Sequence, residues 1–214
     1  MKEAQQTPAR ALRNFGLVAA ATCAAASIWA ASPPEEAYLL DAGMWRDEVK
    51  PSIHWPTDGW VRLQQIDGAI DVRAVKPSDA AEVRPDALFF RQPALALKEG
   101  VRPTYRHSVA LKDPKLGQDY ELTLGKVRFN LRVESGVKGM EYTVGYGGKS
   151  YRYILGPFDA THTAVRVVAD LDGDSQPDFL VDVEDATFLL LSTQARPGQN
   201  MPTAELWAKA EEGS

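Results

Sequence analysis

Between Lys126 and Glu134 apolar and polar residues alternate strictly. Val127, Phe129, Leu131 and Val133 fall on one side of an extended chain, and Arg128, Asn130, Arg132 and Glu134 fall on the other. That period of two predicts a strand with one face in a core and the other in water. Short runs rich in β-branched and aromatic residues, separated by Gly, Pro and Asp, continue this pattern from Trp60 onward. They predict strands at Trp60–Ile66, Ile70–Val75, Ala87–Arg91, Thr104–Leu111, Tyr120–Leu124, Lys126–Glu134, Met140–Tyr146, Tyr151–Leu155, Ala164–Ala169, Phe179–Val183 and Thr187–Ser192. Gly68, Gly125 and Gly147-Gly148-Lys149 sit where hairpin turns would join successive runs.

The period lengthens at both ends of this stretch. Leu39, Leu40, Gly43 and Met44 cluster at roughly helical spacing, which predicts one short helix within Ala37–Val49. Thr203 stands where it would cap a terminal helix running through Lys209, with Leu206 and Trp207 as its apolar contacts. Pro77 to Pro85 and Arg196 to Pro202 read as loops, and no fixed repeat period appears. The expected fold is mainly β, an antiparallel sheet or β-sandwich with a short C-terminal helix.

The N-terminus follows a different grammar. Phe15 to Ala31 is an uncharged, alanine-rich stretch preceded by Lys2, Arg10 and Arg13, the shape of a signal peptide. Ala30, Ala31 and Ser32 are small enough for a peptidase, and Pro33-Pro34 ends any helix. The rival reading is an uncleaved anchor, because an uncharged, mostly apolar stretch of 17 residues lies at the lower limit for crossing a bilayer. The expected organisation is a signal peptide or N-terminal anchor at 1–31, a linker with room for one short helix at 32–59, and a β-rich domain at 60–214.

Export changes the meaning of the composition. The one cysteine, Cys23, lies in the signal segment, so the processed chain has no disulfide and depends on its core or on a structural ion. Cleavage after residue 31 also removes three basic residues and one acidic residue, moving the formal charge from -5 to -7. An acidic chain of that kind is a poor partner for nucleic acid or anionic lipid.

The strongest chemical signal is Asp170-Leu-Asp172-Gly-Asp174-Ser-Gln-Pro-Asp178, spaced D-x-D-G-D-x-x-x-D between two apolar runs. Four converging carboxylates repel one another unless a cation neutralises them. Calcium accepts six to eight oxygens at roughly 2.3–2.6 Å, and alternating acids in a tight loop suit that demand. Asp170, Asp172, Asp174 and Asp178 are the expected side-chain ligands and Gln176 the expected carbonyl ligand, with Gly173 permitting the turn. An EF-hand would place Gly at Ser175 and Glu at Val181, and its flanks would be helices.

The loop resembles the calcium loops of FG-GAP and VCBS-type repeats, in which the same D-x-D-G-D-x-x-x-D is followed by apolar residues, here Phe179-Leu-Val181. The resemblance covers about Val165 to Leu191 and occurs once. It implies the ion site and an exported setting, not the repeated blades of a propeller.

Other signals are weaker. Gly147-Gly148-Lys149-Ser150 has the ending of a phosphate-binding loop but Thr143 where its first glycine belongs. His54, His107 and His162 lack zinc spacing, and no G-x-S-x-G elbow is present. Trp45, Trp55 and Trp60, with His54 and Tyr38, are weighed as an aromatic platform for a sugar or peptide against a plain aromatic core. Tyr142, Tyr146, Tyr151 and Tyr153 are expected to pair across strands. The function expected from this balance is an exported calcium-stabilised binding or structural protein of the cell envelope, periplasmic or secreted, with a glycan or another surface protein as partner. The alternative is a periplasmic or secreted hydrolase using scattered carboxylates around a structural ion.

Overall fold

The structure, a computed structural model, describes residues 37–80, 82–105 and 111–207. The signal or anchor segment, His107 and the end of the expected terminal helix lie outside the described residues. Fourteen strands are found among the described residues: β1 Tyr38–Asp41, β2 Trp60–Ile66, β3 Ala69–Val75, β4 Leu88–Arg91, β5 Gly100–Pro103, β6 Asp119–Leu124, β7 Val127–Gly136, β8 Gly139–Tyr146, β9 Lys149–Leu155, β10 Thr163–Ala169, β11 Asp178–Val183, β12 Ala186–Leu190, β13 Gly198–Asn200 and β14 Ala204–Trp207. The fold is mainly β, as the alternation predicts.

The strands form three sheets in the orders β1-β4-β2-β3-β5, β10-β11-β12-β14 and β13-β9-β8-β7-β6. The pairing is antiparallel throughout except for β13, which lies parallel to β9. Every two-residue turn expected from a glycine joins a hairpin. Ile66 pairs with Ala69, Leu124 with Val127 and Tyr146 with Lys149. At the last of these, Gly147 and Gly148 both have positive φ, 57° and 72°, the geometry that matches a tight turn to the twist of its strands. The phosphate-loop ending at Gly147 to Ser150 is therefore the β8–β9 turn running into β9, with no helix behind it.

The sheet of β10, β11, β12 and β14 lies in the middle of the stack. One of its faces, with Val165, Val168, Phe179, Val181, Phe188 and Leu190, packs against the inner residues of β6–β9 such as Leu131, Val133 and Tyr142. Its other face, with Val167, Ala169, Leu180, Leu189 and Leu206, packs against Leu63, Ile70, Val72, Leu88 and Phe90. A strand buried on both faces needs apolar residues at every position, which is why Phe179-Leu-Val and Phe188-Leu-Leu are continuous runs. A register shift between Val165 and Val167 turns β10 over midway, so that Val165 and Val168 face one core and Val167 and Ala169 the other.

Two expectations at the ends of the chain are corrected. The Ala37–Val49 segment begins as β1, with Leu39 and Leu40 buried in opposite cores, and turns helical only at Ala42, with a π-helical turn from Trp45 to Val49. Residues 38–49 thus belong to the packed body and do not form a linker. The expected C-terminal helix is the strand β14, in which Ala204 and Leu206 are buried while Glu205 is exposed. Four residues cannot separate a period of two from one of 3.6. The fully buried β12 needs a neighbour on that edge, and its pairing with β14 decides the matter.

Residues 106–110 of the expected strand Thr104–Leu111 lie outside the described residues. Ahead of them β5 covers Gly100–Pro103, and Thr104 bridges to Ala169. The aromatic platform is a core. Trp45 and Trp60 are fully buried, Trp45 stacks on Phe89 with ring centroids 4.2 Å apart, Tyr38 and Trp55 at its margin are half exposed, and His54 is exposed. No helix among the described residues is long and apolar enough to cross a membrane.

Candidate metal centre

The aspartate loop connects β10 to β11 and is held from below by the two cores, since Val168, Ala169, Phe179 and Leu180 on either side of it are buried. Burying each large apolar side chain contributes roughly 1.5–3 kcal/mol, so the ends of the loop are anchored even where its carboxylates repel. Within the loop the backbone folds onto its own acids. Asp170 Oδ1 accepts the Gly173 N–H at 2.7 Å, Asp172 Oδ1 accepts the Asp174 N–H at 3.2 Å, and Asp174 Oδ1 accepts the Gln176 N–H at 2.7 Å. These local bonds use the habit of Asp side chains of capping backbone N–H groups a few residues on.

The result brings Asp170, Asp172 and Asp174 together, with one oxygen of each within 4.8 Å of the others. Asp170 and Asp172 are half-buried and Asp174 is exposed at the mouth. Burial raises the Asp174 carboxyl above the ordinary aspartate range, the charges of Asp172 and Asp170 add to the rise, and the Gln176 N–H and Ser192 hydroxyl oppose it. Among the described residues this is the one group of acids and histidines close enough to hold a metal ion. His54 and His162 are exposed and apart from it.

Gly173 is needed here for two reasons. Its φ is +85°, and a Cβ at this position would lie 2.4 Å from Lys98 Cδ. The Lys98 N–H also donates to the Leu171 carbonyl at 3.0 Å, so the segment leading into β5 is laid directly against the loop.

Asp178 and Gln176 have different surroundings. Asp178 is completely buried at the start of β11 and stands outside the group of three. Its Oδ2 accepts N–H bonds from Leu171 at 2.6 Å and Asp172 at 3.2 Å, and its Oδ1 accepts the Ser192 N–H at 2.7 Å and the Ser192 hydroxyl at 2.8 Å. Four donors occupy both oxygens, so the side chain braces the loop from inside. Burial, and then the charge of Asp172, push its carboxyl up to about 8, against the pull of the Ser192 and Leu171 donors. Gln176 contributes its N–H to Asp174 and bends the loop toward the Asp174 side chain.

Ser192 and Thr193 join the site through contacts that the local sequence does not mark. The Thr193 hydroxyl donates to Asp172 Oδ2 at 2.6 Å, beside the two Ser192 bonds to Asp178. These residues lie 14 and 21 positions from their partners, and no local spacing signals such a pairing. Of the tyrosines of β8 and β9, Tyr146 and Tyr153 lie near enough to feel the charges of Asp174 and Asp178, while the Tyr142 hydroxyl meets Thr163 at the start of β10. Tyr142 pairs with Tyr153 across the strands, and the Tyr146 and Tyr151 rings stack 4.4 Å apart. The Tyr153 hydroxyl is pushed up to about 12 by burial and by the charge of Asp178.

A cavity of about 380 Å3 opens beside the loop, with Asp170 and Ser175 on one wall and Arg102, Lys126, Leu124 and Val127 on the others. Asp182, Glu184 and Asp185 are not part of this centre. Asp182 accepts the Thr187 hydroxyl at 2.7 Å, and the Glu184 carboxylate accepts the backbone N–H groups of Thr161 and His162. Comparison with known protein families, with curated proteins and with solved structures gives no match, so the reading of this centre stands on its own residues.

Proposed function

We propose that this chain is an exported, calcium-stabilised binding or structural protein of the cell envelope, with Ca2+ held by Asp170, Asp172 and Asp174. The observation that carries the reading is the convergence of those three carboxylates, within 4.8 Å of one another, in the loop between two strands of the central sheet. Oxygen-only donors, three negative charges and a partly open mouth suit a hard cation that takes further ligands from backbone carbonyls and water. The spacing shared with FG-GAP and VCBS-type loops supports calcium as that cation, with the Gln176 carbonyl as a further ligand. Asp178 supports the site from below. Its four donors favour its ionised form, and a cation among the triad offsets the Asp172 charge that opposes ionisation.

The ion's work in this reading is structural. It cancels the repulsion within the loop, and in a processed chain without cysteine it takes the place of a covalent staple. The uncharged stretch from Phe15 to Ala31 supports export, and the partner would be a glycan or another surface protein. The test is thermal unfolding of residues 32–214 in chelator and in millimolar calcium, with Asp172→Ala and Asp174→Ala alongside. Calcium at about 100 times its dissociation constant adds roughly 2.7 kcal/mol to a fold that alone binds it. The expected result is a higher Tm for the parent protein and none for either variant; an unchanged Tm removes calcium from the fold.

A further inference from the structure

We infer that Ser192 and Thr193 form a strap through which cation occupancy of the aspartate loop controls how firmly the C-terminal strands β13 and β14 are held. The inference rests on the calcium reading above and extends it from the ion to a segment more than ten residues beyond the loop.

The strap has two fastenings on the loop. Ser192 gives Asp178 both its N–H, at 2.7 Å, and its hydroxyl, at 2.8 Å. Thr193 gives its hydroxyl to Asp172 Oδ2 at 2.6 Å, with its N–H 3.4 Å from the same oxygen. Asp172 belongs to the metal-capable triad, and Asp178 is bound to the backbone N–H of Asp172. The short 3-10 turn Ser192–Gln194 is therefore hung on the side chains that hold the cation and brace its loop.

Beyond the turn, the chain is held by short strand pairings and by the burial of Ala204 and Leu206. β13 pairs with β9 over three residues only, and Gly198 and Gln199 are exposed. β14 pairs with β12 over four residues. Between them Thr203 bonds back to the strand before the strap, its N–H donating to the Leu189 carbonyl at 2.8 Å and its hydroxyl accepting the Leu191 N–H at 3.0 Å. Both strands are edges, one closing the outer sheet and the other the central sheet. Short edge strands open at low free energy, so their protection depends on the anchor that precedes them.

The coupling follows from charge. Without a cation, repulsion among Asp170, Asp172 and Asp174 drives the loop apart and pulls Asp172 away from Thr193. With one, Asp172 is fixed where the Thr193 hydroxyl meets it. Whatever factor the cation gives to closing the strap, the closed strap returns to cation affinity, because coupling between two equilibria is reciprocal.

The experiment is hydrogen exchange of residues 192–207 in the full processed chain, in chelator and in saturating calcium, with calcium binding measured separately by calorimetry. Thr193→Val keeps the shape and removes the hydroxyl; Thr193→Ser restores it. Calcium should slow exchange across 192–207 by about tenfold, within the usual range of such couplings. Thr193→Val should bind calcium more weakly by the same factor and lose the slowing, and Thr193→Ser should recover both. Calcium binding to the parent chain with no change in 192–207 overturns the strap and leaves the calcium reading standing, as does full slowing in Thr193→Val. No calcium binding in calorimetry overturns the reading and the strap with it.

Discussion

Asp178 brings a carboxylate into a fully buried position and meets it with four donors, two to each oxygen. Asn at this position keeps the shape but turns an NH2 toward N–H groups that then lack an acceptor. Leaving a buried donor unpaired costs about 1–3 kcal/mol. Asp178→Asn should therefore lower the Tm in chelator as well as in calcium. A loss that appears only with calcium present would make Asp178 a ligand instead of a brace. The spacing of four aspartates does not separate these roles, because a ligand and a brace look alike until their partners are seen. Three of the four meet one another, and the fourth meets Ser192, far along the chain.

At the scale of the element, turns and edges carry the information that periodicity lacks. The turn between β11 and β12 holds Glu184 at a φ of +51°, unusual for a residue with a side chain. Its carboxylate accepts the N–H groups of Thr161 and His162, pinning the segment that enters β10. Those bonds hold the Glu184 carboxyl below the ordinary glutamate range. A lowered value in the folded state means that the bonds contribute stability above the ordinary glutamate pKa and lose it as pH falls through the folded value. The Tm advantage of the parent chain over Glu184→Gln should be full at pH 7 and shrink on titration below about pH 4.3, the unperturbed glutamate value. An advantage that persists unchanged at pH 3 would show that the carboxylate is not the source. The same scale explains β1 and β14. Both are four-residue strands, too short for their own pattern to declare them, and both are extended because a buried strand beside them needs a partner.

At the scale of the whole molecule the central sheet serves two cores at once. Phe179 and Val181 belong to one, and Leu180, the residue between them, belongs to the other. Opening either side exposes the same strand, so the two cores should unfold together. Buried aromatic residues lie on both sides of this sheet. Trp45 and Trp60 lie on the far side of the β1–β5 sheet, and Tyr142, Tyr151 and Tyr153 lie in the core between β6–β9 and the central sheet. Tryptophan fluorescence and the tyrosine near-ultraviolet signal should give one coincident denaturant transition. Two separated midpoints would divide the molecule into independently stable halves. The aspartate loop leaves the edge of this shared sheet, which is why an ion bound there would stabilise both cores.

Most of the strands, the paired glycine turns and the acidic loop were legible in the chain itself. A period of two over five or more residues, bounded by Gly or Asp, has few folded solutions, and aspartates that converge in a short loop repel one another. Those are local demands. The tertiary structure alone decided that the continuous apolar runs of β11 and β12 form a sheet buried on both faces, that the tryptophans near the start of the β-region fill a core, and that the C-terminal segment is extended. It alone separated Asp178 from the three acids that converge and set Ser192 and Thr193 against the loop. Each of these depends on which distant segment stands opposite, and a side chain's partner across 14 or 21 residues is chosen by packing, not by the spacing of its neighbours.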